Sequence, residues 1–158
     1  MLDRLANEII EHAKVGGITI ATAESCSAGR LAQALAKAEG ASTHYLGGVV
    51  AYTKQMKERM LGVPPQLLQE KTAVCGPVAE AMAIGVLLKS AATVAVSITG
   101  VAGPDEDEDG NPVGLVYCAV APYPAEVQRN ARRHHRGCLR RGPPAPAIIL
   151  FLLSTPPG

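Results

Sequence analysis

The chain has 158 residues, 47% of them hydrophobic and 18% charged, with a formal net charge of +1. That size gives one domain with a real core and little room for a second, the composition fits a soluble globular protein, and the four cysteines, far apart and without a CxxC, argue against disulfides or a zinc site. The longest apolar run, residues 147–153, is too short to cross a bilayer.

Taken in chain order, the elements alternate. Leu2, Leu5, Ala6, Ile9, Ile10 and Ala13 recur at three and four, the stripe of a helix that Gly16-Gly17 closes. The first eight residues carry acids where a secretory leader would be basic, so a cytoplasmic setting is expected. Residues 18–23 read as a strand and residues 28–38, rich in Ala and Leu, as a helix. The stretch YLGGVVAY, residues 45–52, is strand-like, and its Gly47-Gly48 pair admits close approach of another backbone. Residues 54–61 read as a helix that Gly62-Val-Pro-Pro65 stops. Another helix is expected over 78–90. TVAVSIT, residues 93–99, is a buried strand by its β-branched content. A loop with five consecutive acids, Asp105 to Asp109, leads to a last strand at 114–121. Strands alternating with helices predict an α/β fold, a three-layer α/β/α sandwich on a mixed, mostly parallel sheet, in one domain. With 3% aromatics and no Trp, its core must be built from Ala, Val, Leu and Ile.

The composition breaks near residue 128. Residues 1–128 hold nine Lys and Arg against fourteen acids, a net of −5, whereas 129–158 hold six Arg and no acid, a net of +6. The domain is therefore expected over 1–128. Residues 129–158, rich in Arg, Pro and Gly and without helical or strand period, read as an atypical basic tail. A loosely docked or disordered tail and a stretch translated out of frame both fit its composition. A nucleic-acid arm is not expected, because no aromatics interleave the basic residues for base stacking.

Three turns on strand ends carry hydroxyls and glycines. In TAESCSAG, residues 22–29, a strand runs into a Ser/Gly turn and a helix, an arrangement that points free N–H groups and a dipole end at an anion. Ser25 or Ser27 could equally be a helix cap. Cys26 is a second nucleophile candidate without a matched histidine: His12, His44, His134 and His135 lie outside these turns. A serine without histidine needs another base, and lysine serves when burial lowers its pKa. YLGGVVAYTKQMKERMLGV, residues 45–63, offers Tyr52, Lys54 and Lys57; a strand-end tyrosine and a solvated lysine face are the alternative. SITGVAGP, residues 97–104, is the third turn, with Thr99 and Gly100. No dinucleotide or P-loop glycine pattern and no metal-ligand spacing occurs, and the acidic run reads as solvated. No cofactor and no metal are expected. Spacing alone supports an anion pocket at the carboxyl ends of the strands and leaves the reaction open.

Together the three blocks resemble one family. TAESCSAG resembles T-A-E-S-C-[ST]-[AG]-G. The 45–63 block is similar to F-x-G-G-x-V-x-Y-x-N-x-x-K-x-x-x-L-G-V. Residues 97–117 resemble T-G-[IV]-A-G-P…P-V-G-[LT]-V-[YF]. These are the marks of the C-terminal domain of the competence/damage-inducible protein CinA, which also occurs alone as nicotinamide-nucleotide amidase. The likeness runs from the first helix to about Ala121 and lies with the stand-alone form. It implies hydrolysis of nicotinamide mononucleotide to nicotinate mononucleotide and ammonia, in pyridine-nucleotide salvage. Carried over by position, Ser25 is the nucleophile, with Tyr52 and Lys57 taking its proton. Ser27, Ala28 and Gly29 offer N–H groups to an oxyanion or phosphate, and Gly47, Gly48, Thr99 and Gly100 line the nucleotide. A homo-oligomer without membrane or nucleic-acid partners is implied; a non-catalytic nucleotide-binding module is the alternative. Thr53 stands where the family has Asn, and residues 75–85 follow the family helix loosely. The family's phosphate arginine, beyond residue 128, matches none of Arg132, Arg133 and Arg136 unambiguously.

Overall fold

In a computed structural model, residues 2–122 and 128–132 are described. A five-stranded sheet in the order β2-β1-β3-β4-β5 forms the middle layer. Its strands are β1 (Ile20–Glu24), β2 (Tyr45–Val50), β3 (Val94–Gly100), β4 (Val116–Pro122) and β5 (Gln128–Arg132). β1 pairs in parallel with β2 and β3, while β4 lies antiparallel between β3 and β5. Four of the five strands therefore share one direction, and the mixed, mostly parallel sheet is as expected.

Helices cover both faces. On one side α1 (Leu2–Gly16), α2 (Arg30–Lys37) and α3 (Ala41–His44) bury Ile9, Ile10, Leu31 and Leu35 against Ile20, Val96 and Ile98. On the other, α4 (Lys54–Leu61), α5 (Pro65–Lys71) and α6 (Gly76–Ser90) pack Leu61, Leu68, Met82 and Leu87 on Ala21, Ala23, Ala95 and Ala119. Alternate residues of β1 and β3 thus feed the two cores, the period-two rule of a strand buried on both faces. The alanines toward α6 bring that helix close to the sheet. Gly85 brings it close to α4 as well: a Cβ there would overlap the Leu61 carbonyl.

Three elements differ from the sequence reading. The short α3 has no period to recognise. α5 begins at Pro65, in the proline pair read above as a stop; proline at the first helical position costs no hydrogen bond, so the pair starts a helix as well as ending the last one. β5 continues the sheet to Arg132, past the break at 128, although its residues show no strand pattern. Pairing with β4 uses backbone groups that a polar sequence supplies as well as an apolar one. The rest of the basic tail, from 133, lies outside the described residues, as do Arg133 and Arg136. Among the described residues no helix is long and apolar enough to cross a membrane.

Candidate active site

Ser25 follows β1 directly, Tyr52 follows β2, and Val101 follows β3, so all three turns open on the carboxyl edge of the sheet. β3 holds Ser25 in place: the Ser25 N–H donates to the Ile98 carbonyl of that strand at 2.9 Å. Lys57 arrives from α4. Thr53 caps that helix by accepting from the Met56 N–H at 3.2 Å, and Gly62 closes it in the left-handed region (φ 68°). Thr53 thus takes over the capping that an Asn would supply.

The two side chains meet. Lys57 Nζ donates to Ser25 Oγ at 2.8 Å and to the Tyr52 carbonyl at 3.0 Å. Ser25 Oγ also lies 3.5 Å from that carbonyl. Ser25 is 4% exposed and Lys57 1%. Both acceptors of the lysine are neutral, and no carboxylate pairs with it among the described ion pairs. Burial therefore pushes its ammonium down to about 8, with Cys26 opposing and the charge of Lys54 assisting. A lysine in this state is a base at mildly alkaline pH, and it is aimed at a hydroxyl.

Cys26 is not its partner. Burial pushes the Cys26 thiol up, away from the thiolate, against the smaller opposite effects of its own N–H and of Lys57. Tyr52 meets the lysine differently from the family expectation: its carbonyl faces the pair, while the residue is 70% exposed.

Of the remaining expected residues, most are engaged by the protein itself, and Gly47 and Gly48 lie opposite Ala21 and Thr22 in the body of the sheet rather than at this edge. Ser27 Oγ donates to Glu24 Oε2 at 2.7 Å, and the Gly29 N–H donates to the same oxygen at 3.2 Å. The Ala28 N–H donates to the Ser25 carbonyl at 3.1 Å. Thr99 is fully buried and donates to the Ala73 carbonyl at 2.8 Å. Gly100 lets β4 approach, since a Cβ would stand 2.6 Å from the Leu115 carbonyl. At Gly48 a Cβ would collide with the Thr22 hydroxyl, which is hydrogen-bonded to the Tyr45 phenol at 2.8 Å. A buried polar atom takes whatever partner the fold supplies. Gly47 is the exception, with a backbone at φ 128° and open space on its Cβ side.

Glu24 was missed from the sequence. It is 1% exposed and seats its carboxylate on the start of α2. An acid just before a helix start was the available signal. The acidic run is exposed as expected apart from half-buried Asp107, but it is also tied down. Asp109 and Glu108 pair with Lys54 at 2.8 and 3.1 Å, and Asp107 accepts from Asn111 Nδ2 at 2.8 Å.

The model of the CinA C-terminal domain matches residues 2–141. The chain belongs to the CinA C-terminal domain family. The match passes the break at 128 and takes in β5. A CinA-like protein of Geobacter sulfurreducens is 46% identical over 105 residues, 66% of this chain and 25% of that protein. A CinA-like protein of Nostoc sp. is 39% identical over 140 residues, 89% of this chain and 32% of that one. The chain thus spans a quarter to a third of these curated relatives. Among solved structures, a competence/damage-inducible protein from Agrobacterium tumefaciens aligns with a TM-score of 0.79 at 37% identity, over 85% of this chain and 81% of that one. A CinA superfamily protein from Escherichia coli aligns with a TM-score of 0.81 at 30% identity, over 98% and 84%.

Proposed function

We propose that this CinA-family domain is a serine amidohydrolase that converts nicotinamide mononucleotide and water to nicotinate mononucleotide and ammonia. One observation carries the reading: Lys57 Nζ, buried and depressed to about 8, stands 2.8 Å from Ser25 Oγ with no histidine between them.

Neutral Lys57 takes the Ser25 proton as Oγ attacks the carboxamide carbon. The lysine then passes that proton to the departing nitrogen, the C–N bond breaks, and ammonia leaves an ester on Ser25. Water attacks the ester, Lys57 accepts its proton and returns one to Oγ, and the carboxylate product departs. The Tyr52 carbonyl keeps Lys57 Nζ in line through both halves by accepting a second hydrogen bond.

Ammonia release from nicotinamide mononucleotide is the direct assay. Wild type is expected to turn over, and Ser25→Ala and Lys57→Ala to lose at least about a thousandfold in kcat. A Ser25→Ala protein at full rate, with Cys26→Ala inactive, would falsify the nucleophile assignment.

A further inference from the structure

Glu24 is a buried carboxylate that the hydrolysis does not use. Its Oε2 accepts from Ser27 Oγ at 2.7 Å, the Leu31 N–H at 3.1 Å and the Gly29 N–H at 3.2 Å, while Oε1 accepts from the Ala32 N–H at 2.8 Å. No cation pairs with it among the described ion pairs. A carboxylate this deep is tolerable only when such bonds replace its water, and the orphan N–H groups and dipole of a helix start are suited to it. The backbone of the same residue reaches the other way. The Glu24 carbonyl accepts from the Ala51 N–H at 2.8 Å, one residue before the Tyr52 carbonyl that holds Lys57. Glu24 therefore joins the turn after Ser25 to the strand end that carries the second acceptor of Lys57.

We propose that Glu24 is a positioning residue: its carboxylate, seated in the start of α2, fixes the 25–29 turn so that Ser25 Oγ stands at Lys57 Nζ. The anion at this helix start is then the protein's own, and the phosphate of a nucleotide substrate must bind elsewhere. This inference rests on the serine–lysine reading of the site but not on the identity of the substrate.

A cap that served only stability would lower the melting temperature and change nothing at Lys57. The test is a titration of Lys57 by carbon-13 lysine NMR on the full chain, beside kcat, KM and thermal melting, for three variants. Glu24→Gln removes the charge. Glu24→Asp keeps the charge and withdraws it by one methylene. Ser27→Ala removes one of the four bonds and is the mildest. In folded Glu24→Gln and Glu24→Asp the Lys57 titration is expected to rise from about 8 toward an ordinary lysine value, as the pair opens to water. kcat is expected to fall about a hundredfold at little changed KM, the cost of a displacement near 1 Å. Ser27→Ala shows the same changes in smaller degree. Folded variants that melt lower yet keep the Lys57 titration and kcat overturn the proposal. Should wild type leave nicotinamide mononucleotide intact while the Lys57 titration moves in Glu24→Gln, the substrate assignment fails and the positioning role stands.

Discussion

At the scale of single residues the proposed chemistry turns on one proton. With Lys57 at about 8, roughly one lysine in ten is neutral at pH 7 and half at pH 8. kcat/KM is therefore expected to rise with pH through that value, and a pH–rate profile on nicotinamide mononucleotide checks it. Stability follows the same group. The folded chain holds this proton less firmly than the unfolded chain, whose lysines titrate near ~10.4. Between those two values the unfolded state binds more protons, so this contribution to stability rises with pH. Lys57→Met is expected to flatten that slope in urea melts taken from pH 8 to 10. Tyr52→Phe is expected to leave the Lys57 titration in place, since the carbonyl and not the phenol meets Nζ.

At the scale of elements the pair depends on where α4 lies. That helix rests on α6 at Gly85, where the Leu61 carbonyl occupies the space of a side chain. Gly85→Ala must push the two helices apart, at about 1–3 kcal/mol by the usual cost of overpacking. Because Leu61 lies one turn beyond Lys57 on α4, the same change should move Nζ off Ser25. We expect Gly85→Ala to lose kcat while still folding, read by circular dichroism beside the ammonia assay. A stabilised or fully active Gly85→Ala would mean that α4 is not held at this contact.

At the scale of the whole molecule, two apolar layers share one sheet. The central strands β1 and β3 contribute side chains to both layers, so neither core can open without exposing the back of the other. Leu35→Ala on the α2 side and Leu87→Ala on the α6 side should each cost about 2–5 kcal/mol. Both should lower the midpoint of a single unfolding transition rather than split it in two, which calorimetry distinguishes.

The sequence by itself determined the layer order, four of the five strands, the bounds of α4 and the turns at the strand ends, because these are written in local periods and short spacings. The choice of Ser25 and Lys57 within those turns came from the family resemblance, since spacing left a helix cap and a solvated lysine equally open. Contacts between distant segments could not be read in this way. The bond from Lys57 to Ser25 spans 32 positions, and whether it forms depends on how α4 packs on α6. Tyr52 could not be split into a carbonyl that meets Lys57 and an exposed side from its identity alone. Thr99 and Gly29 read as ligand donors until the fold supplied them with Ala73 and Glu24. β5 stayed hidden because a backbone ladder asks nothing of side-chain polarity. Local order follows from each residue's own preferences, whereas the partner of a buried polar group is chosen only when the chain closes around it.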